Sequence, residues 1–455
     1  MLISEKKCRI MDFLLGGIKI IELINRYLLG IALPAQLMIM GIYFGARLGW
    51  FHVRHPIRAI RCALSGDRRG AFSALTLALA GTLGVGNMVG VASAIALGGC
   101  GAIFWMWVSA ALAMILKYSE IVLSIRHRSY DRQGCAHGGA MYYINDIFSS
   151  LGARGIGRIL SLTFASLLIL CALTMGSILQ SRAVSDACHK VFSLPLPVGA
   201  AALSIITLLV CTFGKRGVMR VTERIVPIMT LAVLILSGAV LVLRAEQIPN
   251  AIGRIFGEAF DLRAAGGGFV GFLLSDALRL GIMRGLISNE AGCGTSPTAH
   301  AESDTRLAVR QGIWGIFEVF VDTILLCTVT ALVIIVSGAP LDGSDFMSIV
   351  LLSYSTVLGS WSQYIVAASV FCFGFATVIC WSHYGAEGVF YLCPQPWAKY
   401  GFTALFVAAV FSGGIISADL AWQAADLSVG AMTVINLSVL FLGAREIVEE
   451  TKYLS

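Results

Sequence analysis

Apolar runs long enough to cross a bilayer core, roughly 20 residues each, recur from one end of this sequence to the other. No polar stretch between them is large enough to form a soluble domain. Read between charged or turn-rich boundaries, the runs predict about eleven helical spans, at 29–48, 73–98, 101–125, 157–183, 193–213, 222–244, 265–287, 307–337, 360–384, 398–417 and 420–443. The chain therefore reads as an all-α polytopic membrane protein of one domain. Composition agrees, since 57% of residues are hydrophobic and only 13% charged, about half the charged share of a soluble protein.

Charge then orients the spans. Arg54, Arg58, Arg61, Arg68 and Arg69 share one loop, Arg126, Arg128 and Arg132 the next loop but one, and Lys215, Arg216 and Arg220 fall on the same side. The loop at 338–359 has acidic residues and no Lys or Arg. By the positive-inside rule the basic loops are cytoplasmic, and eleven spans put the N-terminus outside and the C-terminus inside. The tail disagrees, with Lys6, Lys7, Arg9, Lys19 and Arg26; the several internal loops carry more weight. The net charge of +7 is thus topological. It forms no basic patch with interleaved aromatics, so nucleic-acid binding is not expected.

Other chemistries find little support. The twelve cysteines include no C-x-x-C pair, and the single C-x-x-H, Cys380 with His383, lacks a second pair of ligands, so no transition-metal site is expected. Buried reduced thiols are the simpler account. Asp12 and Lys19 interrupt the first apolar run and no small-residue cleavage site follows, so no cleaved signal peptide is expected. There is no G-x-x-x-x-G-K loop for ATP, which argues against a primary pump.

The second span holds "LAGTLGVGNMVG", with Gly81, Gly84, Gly86 and Gly90 in twelve residues. A dinucleotide fingerprint is excluded because no acid follows about 20 positions on. Two readings survive. Gly86 and Gly90 form a G-x-x-x-G pair that suits close helix packing. Equally, glycine-rich backbone can unwind near the midplane and expose carbonyls and amides to a buried ligand. A second glycine-rich span, "GGGFVGFLLSDALRLGIMRGLISNEAG" at 266–292, carries Asp276, Arg279 and Arg284. Leaving out 29–48, these two spans open two groups of five helices. Irregular spans in corresponding positions point to a transport site between inverted repeats. Asp276 could face a substrate or water-filled path, or could pair with Arg279 at i,i+3 spacing.

Seven stretches taken together go further. "AGTLGVGN" with "ALGGCGAIFWMWVSA" and "KYSE", "GGGFVGF" with "RGLISNEAGCGTSPTAHAE", and "RQGIWGIFEVFVDT" with "CWSHYG" together resemble the alanine/glycine:cation symporter family, also called sodium:alanine symporters. The resemblance runs through most of the chain. It implies leucine-transporter-like inverted five-helix repeats at 73–244 and 265–443, preceded by a tail at 1–28 and an extra helix at 29–48, and followed by a tail at 444–455. It implies cotransport of a small neutral amino acid, alanine or glycine, with sodium, in the inner (plasma) membrane of a bacterium or archaeon. The partners are then substrate, sodium and membrane lipid, with no cofactor and no enzymatic activity.

On this resemblance Thr82, Gly84, Gly86 and Asn87 supply substrate contacts, joined by Gln180, Trp381 and, from the residue reading, Asp276. Thr82, Val85 and Thr377 are implied ion ligands. Each has a plainer alternative: Gln180 as an interhelical hydrogen bond, Trp381 as an interfacial anchor, Thr377 as a hydroxyl bonded to its own helix. The chain also departs from the family pattern. It has Gly176-Ser177 before the glutamine and Arg182 after it, and Ala376 where a serine is usual, which removes a hydroxyl beside the implied ion site. Proton coupling through Asp276 or Glu318, and a channel or transporter-like sensor without coupled flux, are the competing functions. The stretch "SNEAGCGTSP" is expected to form a helix end and cytoplasmic loop.

Overall fold

Buried apolar sequence without strand periodicity forms helix almost throughout, because a helix satisfies its own backbone. The computed structural model describes residues 32–57, 61–62, 69–132, 134–260, 275–305, 307–341 and 345–452. Among them the only sheet is a two-stranded antiparallel ribbon pairing Ser129 with His137 and Tyr130 with Ala136. The tail at 1–28 and the glycine-rich start of the span at 265–287 lie outside the described residues.

Helix α1 (Leu33–Arg47) precedes two groups of helices. The first group runs α2 (Arg69–Thr82), α3 (Val89–Gly98), α4 (Gly101–Arg126), α5 (Ala140–Ser150), α6 (Arg154–Leu173), α7 (Gln180–Phe192), α8 (Leu196–Thr212), α9 (Gly214–Leu243) and α10 (Ile248–Ala259). The second runs α11 (Asp276–Asn289), α12 (Ser296–His300), α13 (Ala308–Val319), α14 (Thr328–Ser337), α15 (Phe346–Leu358), α16 (Trp361–Leu392), α17 (Pro396–Ser412) and α18 (Ala418–Leu442), closed by α19 (Ala444–Thr451). Among the described residues, six continuous helices are long and apolar enough to span a membrane. A seventh span is the α2–α3 pair, bent by 61°. Outward faces are greasy: α9 exposes Ile228, Leu231, Ile235 and Val242, a surface suited to lipid tails.

The groups share a pattern of lengths. Each opens on a broken helix, and its third span is its longest, 39 residues at Arg154–Phe192 and 32 at Trp361–Leu392. The fourth, α8 or α17, has 17 residues with proline in its first turn. Two spans contain a widened π turn, at Thr174–Leu179 between α6 and α7 and at Phe320–Cys327 between α13 and α14.

The structure corrects several expectations. Helix α9 begins at Gly214, not near 222, so Lys215, Arg216 and Arg220 sit in its first turns rather than in a loop. Helix α15 lies within the stretch read as the loop at 338–359, yet it buries Met347, Ile349, Val350, Leu351 and Tyr354, and Tyr354 shares a 2.7 Å hydrogen bond with Ser237 of α9. Helix α10, between two of the predicted spans, is divided between its faces. Ile255 and Ala259 turn inward while Ile252 and Phe256 stay largely exposed.

Candidate functional site

The first break is a failure of the helical ladder. Gly84 takes an extended conformation, its N–H turns to Thr82 O (2.8 Å), and Val85 N–H donates instead to Gln180 Oε1 (3.1 Å). The carbonyls of Ala80 and Gly81 thereby lose their i+4 donors. Thr377 Oγ1 compensates one of them, donating to Ala80 O across the helix interface at 2.9 Å rather than to its own helix. Gln180 stands at the exit of the π turn, where its Nε2 donates to Met175 O (3.3 Å). Gly84 is held tightly: a Cβ there would lie 2.9 Å from Thr377 Oγ1 and 3.0 Å from Gln180 Oε1. Gly86 is roomier, with Ser288 Cα the nearest atom at 3.9 Å.

Asn87, the last residue of the short 3-10 turn at Val85–Asn87, joins this break to a buried carboxylate. Its Nδ2 donates to Asp322 Oδ1 (2.6 Å), while Ser288 Oγ and Thr323 Oγ1 each donate to Asp322 Oδ2 at 2.7 Å. Asp322 is fully buried, and no Lys, Arg or His pairs with it among the described residues. Asn87 Oδ1 has no hydrogen-bond partner. Three oxygen-bearing side chains thus converge on a carboxylate that no cation among the described residues neutralises, in the interior of a membrane protein, where a charge is costly.

Six of the seven residues expected at a substrate site, Thr82, Gly84, Gly86, Asn87, Gln180 and Trp381, are placed in or around the first break. Val85 and Thr377, expected ion ligands, are there too. Thr82 Oγ1 makes only long contacts to its own helix, 3.4 Å to Ala78 O and 3.5 Å to Leu79 O. Trp381 is not an interfacial anchor; it is fully buried, packed on Gly176 and edge-on to Tyr384 at 5.4 Å, with Nε1 unpartnered. Asp276 does not join them. It opens α11 with a side chain 63% exposed and bonds Arg279 at 2.9 Å. A cavity of about 400 Å³ reaches the break at Val85 and Val89, lined also by Arg182, Lys190, Asp345 and Trp422.

The second broken helix lies between α11 and α12. "SNEAGCGTSP" contains the expected helix end, α11 closing at Asn289, but 288–297 is entirely buried rather than an exposed loop. Glu290, Gly292 and Gly294 turn the chain through positive φ. The resulting orphan groups are capped by side chains from elsewhere. Gly294 N–H donates to Glu120 Oε1 (2.8 Å), and Asn436 Nδ2 donates to Gly292 O (2.9 Å). Beside them Glu318 accepts from Ser296 Oγ (2.9 Å), bonds His300 Nε2 (3.0 Å) and pairs with Lys117 (3.4 Å). The sequence reading missed both this network and the Asp322 cluster. Glu318 and Asp322 stand four residues apart in "FEVFVDT", one helical turn; spacing alone does not give their partners.

A bundle with two broken helices, backbone groups bared at the first and polar side chains gathered behind it, is built to hold a small solute inside a membrane. It is an integral membrane protein of the transporter class rather than an enzyme. Residues 16–455 match the sodium:alanine symporter family. A relative from Methanococcus maripaludis, "Sodium/alanine symporter AgcS", is 33% identical over 453 residues, covering 97% of each chain. "Amino-acid carrier protein AlsT" of Bacillus subtilis is 30% identical over 410 residues, covering 89% of this chain and 85% of its own. Among solved structures, a Na+-coupled sialic acid symporter in a substrate-bound outward-open state aligns with a TM-score of 0.53 at 15% identity, over 92% of this chain and 87% of that one. The chain belongs to the sodium:alanine symporter family.

Proposed function

We propose that this protein imports a small neutral amino acid, alanine or glycine, together with sodium, by alternating access between two inverted five-helix repeats at 73–244 and 265–443. The buried, unneutralised Asp322 is the observation that carries the coupling. A hard cation prefers oxygen ligands, and Asp322 gathers hydroxyls from Ser288 and Thr323 and an amide from Asn87. A half-turn of that amide presents Asn87 Oδ1 to the ion. The carbonyls freed at the end of α2, with Thr82, Val85 and Thr377, form a second place for sodium.

The substrate reading rests on the first break. A zwitterion needs a donor for its carboxylate and acceptors for its ammonium group. Val85 N–H, covered now by Gln180 Oε1, is such a donor at the positive start of α3, and the α2 carbonyls are the acceptors. Trp381 limits side-chain size. The matched lengths of the two groups support the repeats. The basic loops support a cytoplasmic face at 54–69 and an external one at 338–359. Proton coupling through Glu318 or Asp276 is less well served, since Lys117 and His300 already engage Glu318 and Asp276 is exposed.

The test is uptake of labelled alanine and glycine into proteoliposomes, with sodium and pH gradients imposed separately. An inward sodium gradient should drive accumulation, and Asp322→Asn should raise the sodium concentration needed by about tenfold or more. Accumulation that ignores sodium and follows pH would overturn the reading.

A further inference from the structure

Away from the first break, the end of the bundle that carries Lys215 and Arg128 holds a second polar cluster. Glu302 follows α12, and its side chain is 3% exposed. His383 and Glu387 project from one face of α16 at i,i+4 spacing. One ligand atom from each of the three lies within 4.8 Å of the others. His383 is 6% exposed, and its Nε2 stands 3.4 Å from Glu302 Oε1 without a hydrogen bond to any group. A buried imidazole nitrogen left open between two carboxylates is costly unless something occupies the space.

The surroundings fit a cation. Lys215 pairs with Glu302 through Oε2, and His137 Nδ1 bonds Glu387 Oε2 at 2.8 Å. Each carboxylate is oriented by one oxygen, leaving the other for a ligand bond, as outer-shell groups do at metal centres. A neighbouring cavity of about 480 Å³, lined by His137, Lys215, His383 and Glu387, supplies the entry path. Cys380, the other half of the C-x-x-H pair, is not part of this cluster: its thiol donates to Leu77 O at 3.0 Å.

We propose that Glu302, His383 and Glu387 form a binding site for a divalent transition-metal ion of the zinc type, which clamps the end of the second broken helix to α16. One imidazole and two carboxylates are a zinc-type ligand set, with water completing the shell. Closing the three donors onto an ion draws them together by roughly an ångström. Because the ligands come from two elements that must separate when this end opens, the bound ion slows transport. That consequence rests on the alternating-access reading above; the binding itself does not.

Zinc binding to purified metal-free protein is measured by titration calorimetry, with magnesium as competitor. One Zn2+ per chain is expected, undisturbed by magnesium. Glu387→Gln and His383→Gln should each weaken binding by about a hundredfold, while His189→Gln, at the other end of the bundle, leaves it unchanged. Glu302→Gln serves as a third variant should one of the α16 substitutions fold poorly. Absence of saturable binding, or unchanged affinity in the monodisperse variants, overturns the site. In proteoliposomes, zinc should slow alanine uptake by the unmodified protein and not by Glu387→Gln. Binding with unaltered uptake would keep the site and overturn the clamp.

Discussion

The two broken helices solve one problem in opposite ways. At 82–88 the chain unwinds through an extended Gly84, and the bared backbone meets little: one glutamine, one threonine hydroxyl and a reachable cavity. At 290–295 it turns through three positive φ angles, one of them at the non-glycine Glu290, and the bends at Gly292 and Gly294 are tied to buried side chains from two other helices. Glu120 and Asn436 cap the backbone of the second break, with Lys117 and Glu318 gathered on Ser296 beside it and His300 on Glu318, whereas among the described residues the first break's backbone meets no charged side chain and only the Asn87 side chain reaches a carboxylate. A break that must accept a ligand leaves its backbone groups cheaply satisfied and easily released. A break that must hold its shape has them satisfied by buried side chains of the protein itself, here a carboxyl and an amide, that nothing soluble can replace.

The largest effect should therefore come from unpinning the second break. Lys117→Met leaves Glu318 buried without its ammonium partner, a change of the kind that costs about 3–5 kcal/mol. Thermal unfolding of the detergent-purified protein should show a large drop in midpoint, and Lys117→Met combined with Glu318→Gln should recover part of it. A double variant no more stable than the single one would mean that the pair does not pin this break.

At the first break the expected loss is functional. Gly84→Ala drives a methyl group to 2.9 Å from Thr377 Oγ1 and 3.0 Å from Gln180 Oε1, an overpacking worth about 1–3 kcal/mol. That strain falls on the groups proposed to meet substrate and ion. Gly86→Ala, one step along with 3.9 Å of clearance, should be tolerated. Alanine binding by scintillation proximity should fall about tenfold or more for the first variant and little for the second. Equal losses would remove the contrast.

The sequence made the first break legible because glycine density inside an apolar span is a local signal. It also named Gln180, which bonds Val85 N–H at that break, through family resemblance rather than periodicity. It failed at the second break. "SNEAGCGTSP" is polar and glycine-rich, the composition of a surface loop, and only tertiary partners from 120, 318 and 436 make it a buried one. Asp276 misled for the converse reason: an acid beside an apolar run looks buried until the helix is seen to begin there. The π turns that aim Gln180 and Asp322 left no recognisable trace, since one extra residue in a turn changes no hydrophobic period detectably. Nor could spacing bring Glu302 to His383.

Gln180 sharpens the comparison from the side-chain direction. Removing its amide in Gln180→Ala leaves Val85 N–H without its side-chain partner and takes from Met175 O a second, side-chain donor, at about 1–1.5 kcal/mol per lost hydrogen bond. Because water or substrate can reach the first break, most of this should be recovered when alanine binds. Affinity should fall about tenfold while thermal stability changes less than in Lys117→Met. A stability loss matching that variant would make Gln180 a structural cap like Glu120.

The smallest effect concerns what braces the first break from outside. Helix α15 packs against α3, the far half of the first broken helix, and its N-terminus is fixed by Asp345. That carboxylate caps Ser348 N–H (3.2 Å) and pairs with Lys190 at the end of α7. Burial would raise the Asp345 pKa, but Lys190 and the Ser348 hydrogen bonds outweigh it and hold the carboxyl below its ordinary range. A depressed carboxylate contributes stability above its unfolded pKa, about 3.9, and loses it as pH falls through the lower folded value. The brace is thus intact at neutral pH and fails only in acid. Asp345→Asn should mimic the acid state at neutral pH, costing about 0.5–1 kcal/mol, the range for a surface cap and ion pair. Hydrogen exchange read by mass spectrometry should quicken in α15 and α3 of this variant while 288–300 stays protected. Faster exchange at 288–300 as well would show that the two breaks are held by one network, not two.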